Sequence, residues 1–132
     1  MIGVDSNVLV RLFTSDDQEQ SAAAARYLSE RTESDPAFVS VVVICEMVWV
    51  LQKSYRYAEA KVHEALNSLF ESANVVIENA ELIDWAITKA LEQKADIADC
   101  IIAALAADAG ATKTVTFDKT AAKRIPAMEL LQ

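Results

Sequence analysis

Glycine and proline are nearly missing from this chain, with two of each in 132 residues. That scarcity excludes a flexible linker, a collagen-like repeat and a low-complexity tail. Cysteine is as rare. Cys45 and Cys100 lie far apart in apolar surroundings with no CxxC spacing and no adjacent histidine, so they read as buried thiols rather than metal ligands. The one histidine, His63, follows Glu59 and precedes Glu64 on an amphipathic segment and reads as an exposed residue rather than a catalytic base. No nucleophile and base pair is therefore visible. Long apolar runs are missing too. The longest, Val41 to Val50, is interrupted by Glu46 and falls well short of the roughly 18 residues of a membrane span. The first residues, Met1-Ile2-Gly3-Val4-Asp5, carry no basic stretch, no long apolar segment and no small-residue cleavage pattern, so the expected address is the cytoplasm. Positive charge is also in short supply, with 12 Lys and Arg against 20 Asp and Glu and a net charge of -8. Such a balance does not suit a coat for long stretches of nucleic acid. Acidic chains nevertheless handle phosphates when divalent cations reverse the charge at the reacting centre, which makes the positions of the carboxylates more informative than their number.

What the chain does have is apolar residues, 53% of the total, enough for one core in one domain over residues 1–132. Short apolar segments alternate with helical patterns throughout. A strand ends at Asp5, and Ser6-Asn7 lead into a short helix through Phe13. A second helix runs from Ser15-Asp16-Asp17 to about Arg31, with acids in its first turn. Ala37-Phe38-Val39 is a strand, and Ser40 is placed to cap a helix carrying Val43, Ile44, Met47, Val48 and Leu51. An amphipathic helix over Ala58 to Phe70 precedes the strand Asn74 to Ile77, and a further helix covers Leu82 to Gln93. Asp96-Ile97-Ala98-Asp99 opens a helix through Asp108 that Gly110 stops. The strand Lys113 to Phe117 ends at Asp118. One helical turn over Thr120 to Lys123 and an edge strand from Met128 complete the chain. The alternation predicts an α/β sandwich with a largely parallel sheet, whose ligand site lies outside the carboxyl ends of the strands. Met47, Trp49 and Trp85 read as core.

Several acids occupy telling positions. Glu46 is the single charged residue between Phe38 and Gln52, in a segment otherwise fit to be buried. An unpaired carboxylate there must shift its pKa, find a cation or face a polar cavity. Asp5 and Asp118 each follow a short strand and precede a helix, at the rim where α/β sites form; a lone Asp in such a position more often simply caps its helix, and it is their coincidence that points to a site. Asp96 suits the N-cap of its helix, while Asp99 projects from the first turn. If such carboxylates converge, two unit charges about 5 Å apart repel by roughly 3 kcal/mol at an effective dielectric of about 20. Hard divalent cations relieve that repulsion.

In these four segments, Val4-Asp5-Ser6-Asn7, Ser40 through Glu46 to Leu51, Asp96 through Asp99 to Ala104, and Val115-Thr116-Phe117-Asp118, the sequence resembles a PIN-domain ribonuclease, and within that family a VapC-type toxin of a bacterial or archaeal toxin-antitoxin pair. The likeness spans nearly the whole chain. It implies a PIN-like three-layer sandwich, with a central, mainly parallel sheet of four to five strands flanked by helices. It further implies that Asp5, Glu46, Asp99 and Asp118 surround one or two Mg²⁺ or Mn²⁺ ions and that RNA phosphodiesters are hydrolysed by an activated water without a covalent intermediate. By the same analogy Asn7 and Thr116 orient carboxylates or waters, and Asp96 is an extra acid whose role overlaps with capping. Arg11, Lys119, Lys123 and Arg124 are candidate phosphate contacts, with ordinary solvated surface as the competing reading. The family also suggests a homodimer and a VapB-type antitoxin that blocks the site.

Two other readings compete. A receiver-like phosphoacceptor domain has about this size, an α/β fold and a Mg²⁺-binding acidic pocket, but it places its paired acids after the first strand and its phosphoacceptor after a middle one. Here the second strand leads into Ser40 and the third into Glu78-Asn79. A non-catalytic PIN-like module binding RNA or protein is the other.

Overall fold

The computed structural model describes all 132 residues. Contacts along the chain divide it into two compact units, Met1–Ala80 and Glu81–Gln132.

In the first unit the order is β1 (Ile2–Gly3), α1 (Ser6–Leu12), α2 (Gln18–Ser29), β2 (Ala37–Val39), α3 (Val41–Lys53), α4 (Glu59–Glu71) and β3 (Val75–Ile77). The strands are parallel in the order β1-β2-β3, with Ile2 opposite Ala37 and Val39 opposite Ile77. Parallel neighbours need crossover connections, and the helices supply them. Because the strands run the same way, Asp5, Ser40 and Glu78, which follow them, all lie along one sheet edge. Local side-chain caps start three of the four helices, α4 following Ala58 without one. Asp5 accepts from the Ser6 N–H, Asp17 from the Gln20 N–H and Ser40 from the Val43 N–H. Glu78 adds a reach from the third strand, since its Oε1 accepts from the Val41 N–H at 2.9 Å and satisfies another free donor at the start of α3. The core is formed by Leu9, Val39, Ile44, Met47, Val48, Leu51, Val62 and Leu66, all fully buried.

The second unit contains α5 (Ala80–Gln93, starting one residue before the boundary), α6 (Ile97–Asp108), β4 (Thr114–Thr116), α7 (Lys119–Arg124) and β5 (Met128–Leu130). The two strands pair in parallel, Thr114 with Met128 and Thr116 with Leu130. Gly110 ends α6 as the sequence predicts. At φ +99° it adopts a conformation open to glycine, its N–H donates to the Ala107 carbonyl, and the Ala111 N–H donates to that of Ala106. Ile83, Ala86, Ala90, Ile97 and Ile101 form the core of this unit.

The five expected strands are all present and all parallel, hydrogen-bonded as a group of three and a group of two. No helix is long and apolar enough to cross a membrane. Two assignments to the interior need correction. Met47 is fully buried, but Trp49 is 59% and Trp85 55% exposed. On α3 the buried stripe is Ile44, Met47, Val48 and Leu51, which leaves Val42, Glu46 and Trp49 outward, one helical repeat apart on the opposite face. His63, expected at the surface, is 6% exposed, because it lies three residues before Leu66 on the buried face of α4. Its Nε2 makes no hydrogen bond and lies 3.8 Å from Glu59. Cys100 is buried as expected, and burial, with the negative charges of Asp96 and Asp99, pushes its thiol up to about 11. Cys45 is half-buried.

Candidate active site

In the first unit Asp5 and Glu46 are brought together by Ser6. Asp5 caps α1, its Oδ1 accepting from the Ser6 N–H at 2.7 Å. The buried Ser6 hydroxyl donates a short hydrogen bond to Glu46 Oε1, while Asp5 Oδ1 lies 3.4 Å from the same hydroxyl. One hydroxyl carries one proton, so Ser6 orients Glu46 and stands between two like charges. Glu46 is exposed and forms no ion pair, although α3 around it is apolar. It meets solvent and the Ser6 hydroxyl. Ser6 is the residue that reading by charge alone passes over. Its signal is a small hydroxyl, next to an acid at the end of a strand, that ends up buried.

In the second unit Asp96, Asp99 and Asp118 form another acidic set. Asp96 caps α6, its Oδ2 accepting from the Asp99 N–H at 3.0 Å, which holds the turn that presents Asp99. Asp118 caps α7 through Oδ1 and the Ala121 N–H at 3.0 Å. Thr116 Oγ1 accepts from the Asp118 N–H at 3.0 Å, so the threonine positions this acid through its backbone. Capping thus accounts for Asp5, Asp96 and Asp118, yet in each case it occupies one carboxylate oxygen and leaves the other open. Asp99 is different, being half-buried with a carboxylate that makes no hydrogen bond. Burial first, then the negative charges of Asp96 and Asp118, hold its pKa above the usual carboxylate range. No lysine or arginine forms an ion pair with Asp5, Glu46, Asp96, Asp99 or Asp118; the ion pairs of the chain lie elsewhere.

These donors are all oxygens, several have an open lone pair, and no protein cation neutralises them. That chemistry fits Mg²⁺ or Mn²⁺ rather than a softer ion. No group of three or more His, Cys, Asp or Glu side chains is drawn up at ligand spacing.

The remaining candidates are spread around these sets. Asn7 is exposed and lines an open groove with Arg11, Arg26 and Tyr27. Arg11 is already engaged: its Nε donates to Gln20, and its Nη1 donates to Asp16 at 2.8 Å and to the Tyr55 hydroxyl at 3.0 Å. Arg124 donates to the Lys94 carbonyl at 2.6 Å. Lys119 and Lys123 are exposed and make no ion pair.

The Arg11 cluster yields a prediction. The Tyr55 hydroxyl donates to Asp16 Oδ2 at 2.8 Å, and this bond first, with the Arg11 guanidinium after it, holds the Asp16 carboxyl below the usual carboxylate range. A lowered folded-state pKa adds stability above the ordinary value, and that stability is lost as the pH falls through the folded one. In a ¹³C NMR titration Asp16 should titrate below ordinary aspartates, and Tyr55→Phe should move it up toward them. An unchanged midpoint in Tyr55→Phe would show that the guanidinium alone sets it.

The sequence matches the family model of the PIN domain over residues 2–127. No curated protein matches the chain. Among solved structures, the chain is similar to the crystal structure of VapC20, a sarcin-ricin-loop-cleaving toxin of Mycobacterium tuberculosis. The two share 20% sequence identity, the match covers 93% of this chain and 94% of that one, and the TM-score is 0.46.

Proposed function

We propose, from the premise that this chain belongs to the PIN domain family, that it is a divalent-metal-dependent endoribonuclease and the toxin of a VapBC-type pair. One observation carries the reading: two sets of carboxylates, Asp5 with Glu46 and Asp96 with Asp99 and Asp118, have open oxygens and no cationic partner from the protein. Like charges held near one another within each set lower the stability of the fold until something else neutralises them.

In this reading Asp5, Glu46, Asp99 and Asp118 are the ligands of one or two Mg²⁺ or Mn²⁺ ions. A bound ion of this kind supplies Lewis acidity, easing deprotonation of water and offsetting the charge that develops on a phosphodiester. The protein's share is positioning. The Ser6 hydroxyl holds one oxygen of Glu46 and leaves the other without a hydrogen bond. Asp96 accepts from the Asp99 N–H and so braces the first turn of α6, which supports reading Asp99 as the ligand and Asp96 as its support. Thr116 does the same for Asp118 through the backbone. Asn7, exposed next to the Asp5 cap, is placed to orient a water or a phosphate oxygen. Lys119 and Lys123 offer uncommitted ammonium groups to flanking phosphates, whereas Arg11 and Arg124 would have to give up Asp16 and the Lys94 carbonyl first. With a net charge of -8, contact with RNA stays local to the metal and these lysines. A homodimer and a VapB-type antitoxin that occludes the acids complete the proposal, with the cytoplasm as the place of action.

The test is digestion of total cellular RNA by the purified chain with Mg²⁺ or Mn²⁺ and with a chelator, the cut ends being mapped. Discrete metal-dependent cuts support the reading. A chain that cleaves no RNA with either metal is a binding module, and stable labelling of one aspartate by acetyl phosphate would make it a receiver.

A further inference from the structure

Phe117 is 77% exposed, the highest exposure of any large apolar side chain in the protein. A single exposed apolar residue is unremarkable by itself, but this one has a particular setting. It is the residue immediately before Asp118 and immediately after β4. Both neighbours are fixed: Thr116 lies in the β4 ladder, and its Oγ1 accepts from the Asp118 N–H across Phe117. Asp118 in turn is locked to α7 through the Ala121 N–H. The ring is therefore presented to solvent from a braced backbone, so a planar partner can be received without ordering a loop. Val115, two residues earlier and on the same strand face by alternation, is also exposed. Lys119 follows Asp118, exposed and without an ion pair. Along three successive residues the chain thus offers an aromatic face, a carboxylate with an open oxygen and an ammonium group.

We propose that Phe117 is the stacking platform for an unpaired nucleobase of the RNA strand held at Asp118, and so a specificity-determining contact. The proposal rests on the nuclease reading. Single-stranded nucleic acids are gripped by aromatic rings that stack on bases while cations track the phosphates. The ring suits a base and the lysine a flanking phosphate, while Asp118, of the same charge as phosphate, would meet the one between them only through a bound cation. Stacking selects unpaired RNA because the partner base must be free of its own helix. Every base has a π-face, so the contact discriminates single-stranded from duplex substrate more strongly than one base from another.

The experiment uses the full chain and a defined oligoribonucleotide containing a mapped cut. Phe117→Ala should lower kcat/KM by about 5- to 150-fold, the effect expected of one stacked base, and mainly through KM. Phe117→Trp should keep activity, and Phe117→Leu, apolar but without a π-face, should not. An oligonucleotide with an abasic nucleotide beside the cut should lose the same factor with wild type and nothing further with Phe117→Ala. Circular dichroism and melting temperature confirm that each variant folds. Wild-type kinetics in Phe117→Ala or Phe117→Leu, or losses that multiply between the protein and RNA changes, would overturn the stacking role while leaving the nuclease intact. A change in sedimentation of Phe117→Ala with unaltered kinetics would assign the ring to a contact between copies. Absence of any RNA cleavage by wild type would instead defeat the nuclease reading, and stacking with it.

Discussion

Replacing Asp99 by Asn lowers RNA cleavage by at least about 100-fold, because loss of groups that merely support a metal ligand already costs about 10- to 100-fold. In metal-free buffer at pH 7 it leaves the melting temperature equal to that of wild type or a few degrees higher. The two effects have one cause. Asp99 is half-buried, makes no hydrogen bond through its carboxylate and faces the negative charges of Asp96 and Asp118. A carboxylate whose folded-state pKa is raised binds its proton more tightly in the folded chain than in the unfolded one. Stability is therefore fully retained below the ordinary carboxylate pKa and falls as the pH rises from there through the folded value. Asparagine keeps the shape and removes the charge. The gain in stability should accordingly disappear at a pH below the ordinary carboxylate range, where wild-type Asp99 is neutral too. Thermal melts of both proteins across the acidic range check this. A variant that is inactive and also markedly destabilised at pH 7 would assign Asp99 a structural role.

Mn²⁺ or Mg²⁺ reverses that order of stabilities. An ion that binds only the folded chain adds about 2.7 kcal/mol at 100 times its Kd, or roughly 10 °C for a protein of this size. Wild type should therefore rise above Asp99→Asn in saturating metal and fall below it in chelator. Glu46→Gln should show a reduced shift, since one of its oxygens is already oriented by Ser6 and the other is open. Differential scanning calorimetry with and without metal measures both. A wild-type melting temperature that does not respond to either ion contradicts metal binding by these acids.

Much of this was legible because it is local. Asp5, Ser40, Asp96 and Asp118 cap the helices that follow them, and capping needs only a short side chain and the next three residues. Gly110 stops α6 for an equally local reason. The parallel pairing followed from strand and helix alternation. The outward face of α3 was harder to see, because a helix that is apolar almost all round gives its periodicity little contrast. The needed signal was Glu46 itself: the one charge marks the exposed stripe, and Trp49 lies three residues further along it. For His63 the neighbouring glutamates suggested solvent, while its spacing to Leu66 pointed inward, and packing decided the matter. Ser6 could not be singled out from charge or hydropathy. Its part depends on Glu46, 40 residues away in sequence.

The proposed function stands on Asp5, Glu46, Asp99 and Asp118 as ligands of hard cations. Titration of Mn²⁺ followed by electron paramagnetic resonance, on wild type and on Asp5→Asn, Glu46→Gln, Asp99→Asn and Asp118→Asn, tests it most directly. Each substitution alone should weaken Mn²⁺ binding by about 10-fold or more. Wild-type affinity in Asp5→Asn and Glu46→Gln would contradict it, leaving the metal, if bound at all, to the aspartates of the second unit.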